Sequence, residues 1–291
     1  MTIKYEIPVD GHRLVALSFN PEAEGVPVIL MHGITSSVYF WTSDLVEPFI
    51  GAGPCYALSL PGHYPASFPS DFRRESLTAE GLAEVLAIAI RQLVGERPVM
   101  LVGHSTGGFA ALDIAAHAPD MAHFVISISG FAQGRWRGVL GRQQRWVRDG
   151  LLGQCAFKFV YKSVGLSRTI YRAATRFYSA DPHSVHNYRH FDALLENSFP
   201  AYRKLDLEAM IHYFTTMPDV DISEKLPRIS VPTLALTGDR DPIVPPTQAH
   251  LIAERVPRGE LVVIENVGHT PFYERPDVYR RTIETWLMRH G

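Results

Sequence analysis

The chain has 291 residues, 46% hydrophobic and 20% charged, a balance that suits a globular protein and a length that suits an α/β domain carrying an insertion. With 28 Lys and Arg against 30 Asp and Glu, the net charge of −2 excludes the chain as a whole from the strongly basic nucleic-acid binders. No apolar run approaches the roughly 18 residues that span a bilayer, the charged and alternating N-terminus is not a signal peptide, and the expected location is cytoplasmic.

Apolar and polar residues alternate over 2–9 and 12–19, and Asp10-Gly11 joins the two runs, which predicts a β-hairpin. The apolar run PVILMHG, ending in His32-Gly33, predicts a strand buried on both faces of a parallel sheet. A helix is expected around 40–50, then a second buried strand in CYALSL. Apolar spacing at Leu82, Val85, Leu86, Ala89, Ile90 and Leu93 predicts a helix over 78–94. The run VMLVG, a helix over 107–117 and the run HFVISISG follow. The alternation stops at Gly130 and resumes with the strand VPTLALTG, a helix over 246–256, the strand GELVVIEN and a closing helix over 276–289. Buried strands alternating with amphipathic helices specify a parallel sheet covered on both faces. Cys55 and Cys155 both lie in apolar stretches and read as buried thiols without a disulfide. Neither CxxC nor HExxH occurs, so no metal site is expected.

Residues 131–223 contain no clear buried strand, and helical spacing recurs there. The expected division is a core domain from 1–130 and 224–291, with 131–223 as a helical cap over a site. Phe40, Trp41 and Trp136 are candidate substrate contacts, although most aromatics of the insertion are expected to form its own small core. Arg135, Arg137, Arg142, Arg145 and Arg148, followed by Arg168, Arg172 and Arg176, make the insertion basic. Such a run is either a solvated face or a patch that attracts an anionic substrate, an acyl carrier or an anionic membrane.

Gly103-His104-Ser105-Thr106-Gly107 fits G-x-S-x-G where a buried strand gives way to a helix. A sharp turn there lifts the serine hydroxyl above the sheet edge, and the flanking glycines relieve the crowding. A glycine-rich turn with serine as a plain helix cap is the competing reading. The hydroxyl needs a base, and the base needs an orienting carboxylate. His269 follows the last predicted strand, and Asp239 and Asp241 follow the one before it, all at the same sheet edge as Ser105. Both aspartates are candidates for the acid, and Pro242 favours Asp241. An oxyanion would be held by the backbone N–H of Thr106, after the nucleophile, and by that of Ile34, after the first buried strand. His32 reads as a structural histidine holding that loop.

The segments PVILMHGITSS, YALSLPGHYPAS, VMLVGHSTGGFAA, VPTLALTGDRDPIVP and VIENVGHTPFYERP together resemble the α/β-hydrolase fold superfamily, omitting only the insertion. The resemblance implies an eight-stranded, mostly parallel sheet with a helical cap after the sixth strand, and it favours Asp241 over Asp239 as the acid. The triad chemistry leads to the expectation of a serine carboxylesterase that hydrolyses a small-molecule ester through an acyl-enzyme, with no cofactor or metal required and no nucleic-acid partner. Thioesterase, acyltransferase and carbon–carbon bond hydrolase chemistry would use the same triad, and a non-catalytic ligand-binding protein would share the fold.

Overall fold

In the computed structural model, which describes residues 3–290, Asp10 and Gly11 take positive φ values of 47° and 79°. That pair of conformations makes the tight turn between antiparallel strands β1 (Ile3–Val9) and β2 (His12–Ser18), as the Asp-Gly pair predicts. β3 (Val28–Met31), β4 (Cys55–Leu58), β5 (Val99–His104), β6 (Ala122–Ile128), β7 (Thr233–Gly238) and β8 (Gly259–Ile264) complete one sheet in the order β1-β2-β4-β3-β5-β6-β7-β8. β2 runs antiparallel to both its neighbours, and all remaining pairs are parallel. Every residue of β3, β4, β5 and β7 is buried, which explains their unbroken apolar sequences. β8 closes one edge and is only half-buried, unlike the other strands of the parallel part of the sheet.

The helix expected over 40–50 is instead a broken succession of short turns, with α1 (Ser43–Val46) as its one α-helical piece. Pro48 lacks the N–H that an uninterrupted helix needs. α2 (Ala79–Val94) begins where Thr78 Oγ1 accepts the Gly81 N–H, and α3 (Thr106–His117) starts directly after Ser105. Between β6 and β7 the chain forms six α-helices: α4 (Gly138–Arg148), α5 (Leu151–Val164), α6 (Arg168–Ala174), α7 (Pro182–His186), α8 (Phe191–Tyr202) and α9 (Leu207–Thr216). Their base is tied off where Gly134 N–H donates to Val220 O and Ile222 N–H to Ala132 O. α10 (Thr247–Arg255), α11 (Pro271–Glu274) and α12 (Pro276–His290) complete the chain. One apolar cluster fills the α2–α3 side of the sheet and extends under α4, α5 and α9, while a second fills the α1 and α12 side. Cys55 is buried, with its thiol pushed up to about 12 by desolvation, but Cys155 is exposed on α5, because the apolar face that carries it points outward.

Candidate active site

The sheet order explains why distant segments meet. β3 and β5 are neighbours, so the loop after Met31 and the turn after His104 emerge side by side at the carboxyl ends of the strands. β7 and β8 are neighbours too, which brings the loops carrying Asp241 and His269 together at the same rim.

Ser105 has φ 56° and ψ −117°, a conformation that an L-residue holds only when its surroundings force it. The Ser105 side chain makes no capping hydrogen bond to α3, so the plain helix-cap reading fails. The turn demands both glycines of the motif. A Cβ on Gly103 would stand 2.0 Å from the Gly107 carbonyl oxygen, and one on Gly107 would stand 2.2 Å from that of Met31. Gly33 is less confined, its added Cβ meeting the Ser105 Cβ at 3.2 Å.

Asp241 and His269 form a buried pair, with the His269 Nδ1–H donating to Asp241 Oδ2 over 2.7 Å. The second carboxylate oxygen accepts the N–H groups of Ile243 and Val244 at 2.8 and 2.9 Å. These bonds fix the carboxylate and leave the ring's Nε2 turned from the acid. Asp239 does different work: its carboxylate accepts the Val267 N–H at 3.2 Å and ties the β7 and β8 loops together. The His269 N–H donates to the Tyr178 carbonyl of the helical insertion at 2.8 Å.

Two further groups hold the histidine loop. His104 Nε2–H donates to the His269 carbonyl at 2.9 Å, and its ring stacks on Phe40 with centroids 5.4 Å apart. Burial holds His104 neutral by pushing it well below the ordinary imidazole range. The buried Glu274 carboxylate accepts the N–H groups of Gly268 and Thr270, and also those of Ala180 and Asp181 from the insertion. Sequence patterning gave no warning of either role: a lone acid five positions past a histidine has no periodic signature. His32 behaves as expected of a structural histidine. Its Nε2 accepts the Leu60 N–H, its Nδ1–H therefore donates to Gly33 O, and burial pushes it down to about 4.

Ser105, His269 and Ile34 line a single cavity of about 220 Å³ roofed by the insertion. Thr106 is buried as the first residue of α3, where backbone N–H groups have no helical acceptor. Leu140, Val160, Tyr161, Phe191 and Leu195 make the roof, with Gln143 and Ser198 as polar members, and no Lys, Arg, Asp or Glu lines the cavity among the described residues. Phe40 lies in the wall. Trp41 and Trp136 do not: Trp41 is packed in the α1-side core, and Trp136 is wedged between Phe131 and Phe214. Both are large apolar side chains adjoining the site in sequence, yet chain direction turns them into cores. None of the arginine run lines the cavity either. Arg148 pairs with Asp219, Arg172 with Asp192, and Arg168 with Asp192 and Glu196, all on the surface.

A strained serine turn between β5 and α3, with an Asp–His pair at the next rim positions, defines an α/β-hydrolase, and the chain belongs to that family: the alpha/beta hydrolase fold matches residues 26–276. No helix is long and apolar enough to cross a membrane among the described residues. The pimeloyl-[acyl-carrier protein] methyl ester esterase of Aeromonas salmonicida is 24% identical over 274 residues, covering 91% of this chain and 96% of that protein. Among solved structures, the enol-lactonase from Burkholderia xenovorans has a TM-score of 0.75 at 15% identity, over 98% of this chain and 100% of that one. The 2-hydroxy-6-oxo-6-phenylhexa-2,4-dienoate hydrolase of a Rhodococcus strain has a TM-score of 0.74 at 20% identity, over 100% of this chain and 98% of that one. At these identities the structural likeness speaks for the fold alone.

Proposed function

We propose that the protein is a serine hydrolase of uncharged carboxylic esters, with residues 131–223 acting as a cap on a core formed by 1–130 and 224–291. The observation that carries this reading is the buried Asp241–His269 pair, which opens on the same cavity as the strained Ser105. His269 Nε2 takes the Ser105 hydroxyl proton as Oγ attacks the ester carbonyl carbon. Negative charge moves onto the carbonyl oxygen, where the N–H groups of Ile34 and Thr106 receive it. The carbon–oxygen bond breaks as His269 returns the proton to the departing alkoxide, which leaves as an alcohol. A water molecule then gives its proton to His269 and attacks the acyl-enzyme, which releases a carboxylic acid and restores Ser105. Asp241 keeps the imidazole in the required tautomer and stabilises its charged form.

The apolar wall suits an aliphatic or aromatic acyl group, and a wall without Lys or Arg offers nothing to pair with the carboxylate of an anionic substrate. That speaks against a carbon–carbon bond hydrolase acting on an acidic substrate. The name of the Aeromonas salmonicida relative, an ester hydrolase, agrees with the reading. The test is labelling with a fluorophosphonate, which loses fluoride as Ser105 Oγ bonds to phosphorus. Labelling and hydrolysis of p-nitrophenyl esters should both vanish in Ser105→Ala, and undiminished turnover by that variant ends the proposal.

A further inference from the structure

α5 is amphipathic in an unusual sense. Its inner face is accounted for, since Phe157 and Tyr161 are buried and Val160 and Val164 line the cavity. Its outer face is apolar as well: Leu151, Leu152, Cys155, Ala156 and Phe159 recur at i, i+1, i+4, i+5 and i+8 and all are exposed. Leu152 is 87% exposed and Phe159 72%, and it is their clustering with Leu151 on one helix face, not their exposure singly, that sets α5 apart. Beyond α5 the next large exposed apolar residues along the chain are Leu166, 76% exposed, and Ile170 on α6. Phe177 follows, 54% exposed and at the same time part of the cavity wall. The series of exposed apolar residues therefore reaches, along the chain, a residue that belongs to the cavity.

Charge distinguishes what this patch meets. Residues 131–223 hold thirteen Lys and Arg against eight Asp and Glu, a surplus of five positive charges, whereas the rest of the chain has a surplus of seven negative ones. Lys162 lies on the outer face of α5, and Arg176 stands beside Phe177. Both are exposed, and neither enters an ion pair among the described residues. Lys158, at the edge of the face, is paired with Glu208, and Asp149 is the acidic residue nearest Leu151 in the chain. A second copy of this chain would oppose an equally basic insertion with its own, whereas an anionic surface answers both the exposed apolar groups and the cations around them.

We propose that the outer face of α5, continued by Leu166, Ile170 and Phe177, docks the protein onto an anionic phospholipid bilayer with the cavity mouth turned toward the lipid. Leu152 and Phe159 enter the acyl boundary while Lys162 and Arg176 remain among the headgroups. An apolar ester dissolved in the bilayer then reaches Ser105 without crossing water. Only that last step rests on the ester-hydrolase reading; the docking stands without it.

The experiment uses the full chain carrying Ser105→Ala, so that lipid is not consumed, and vesicles of phosphatidylcholine and phosphatidylglycerol in equal parts against vesicles of phosphatidylcholine alone. The chain should sediment with the mixed vesicles at low salt, roughly tenfold more weakly with the neutral ones, and less as salt rises. Leu152→Glu combined with Phe159→Glu should weaken association with the mixed vesicles by roughly tenfold or more. In a chain that keeps Ser105, the same two changes should leave hydrolysis of p-nitrophenyl acetate unaltered, because neither side chain lines the cavity. The proposal falls if the parent chain stays in solution with mixed vesicles at low salt, or if the doubly substituted chain binds them as well as its parent. It falls equally if the parent proves to be a dimer that the two substitutions dissociate, with no vesicle association in either. Failure of Ser105 to react with a fluorophosphonate would remove the hydrolase reading and leave these vesicle results untouched.

Discussion

The carboxylate of Glu274 reaches back to the N–H of Gly268 at 3.0 Å and grips the loop that carries the catalytic histidine of the proposed triad. The same oxygen accepts the Ala180 N–H at 2.8 Å, so one buried side chain joins the His269 loop to the helical insertion. A neutral amide at 274 would present an NH₂ group to N–H donors and leave part of this set unmatched. Glu274→Gln should lower stability by about 1–3 kcal/mol, read from urea unfolding, and lower kcat by up to about 10²-fold with a smaller change in KM, through displacement of the His269 ring. Unchanged kcat in a folded variant would show that the clamp does not position the histidine.

The two aspartates of the β7 loop separate cleanly by their bonds. Asp241→Asn should reduce kcat by about 10⁴-fold with the fold intact, since an amide favours the wrong imidazole tautomer. Asp239→Asn should instead cost stability through the Val267 N–H and spare most of kcat. Steady-state kinetics and thermal melts on both variants check the assignment, and a reversal of the two outcomes would make Asp239 the acid.

Acid should destabilise the fold through its buried histidines. His32 is held down to about 4 by burial, against 6.5 in the unfolded chain, so the unfolded state binds more protons between those values. Its contribution is complete above pH 6.5 and fades as the pH falls toward 4, by on the order of 3 kcal/mol in all. His63 and His104, pushed down by the same desolvation, act in the same direction. Urea midpoints measured across this range should fall with pH, and His32→Gln should flatten the slope.

Asp113 is a buried carboxylate on α3 whose nearest cation, Lys225, stands 3.8 Å away, outside hydrogen-bonding reach. Burial raises it to about 6, so its ionisation opposes folding increasingly as the pH rises from about 4 through 6. Asp113→Asn should therefore stabilise the protein at pH 8 by on the order of 2–3 kcal/mol, and very little at pH 4. Equal effects at both pH values would mean that packing, not charge, decides the outcome.

The cavity predicts selectivity. Val160 and Leu195 lie in its wall, away from the triad in sequence. Val160→Trp should reduce kcat/KM for an octanoyl ester by about tenfold or more while sparing the acetyl ester, because the bulk occupies space that only the longer chain uses. A parallel loss on both esters would place the acyl group elsewhere.

Local patterning carried the framework of this protein. Unbroken apolar runs can be satisfied only between two covering layers, and Asp-Gly, Gly-x-Ser-x-Gly and the late Asp and His loops mark strand ends wherever the chain folds. Patterning failed at 40–50, where Pro48 breaks a regular-looking apolar spacing. It also failed at Trp41 and Trp136, because side-chain direction depends on packing that sequence spacing does not encode.

What the sequence determined alone is therefore most of the alternating order of strands and helices, and that a serine, a histidine and two candidate aspartates stand at strand ends. Tertiary structure decided which aspartate faces the imidazole, that His104 and Glu274 grip the histidine loop, and that an apolar face of α5 points outward. The reason is physical: residue type and short-range period are properties of the chain, but a hydrogen bond across 165 residues, such as that from His104 to His269, exists only once the sheet has set β5 and the loop after β8 at one rim.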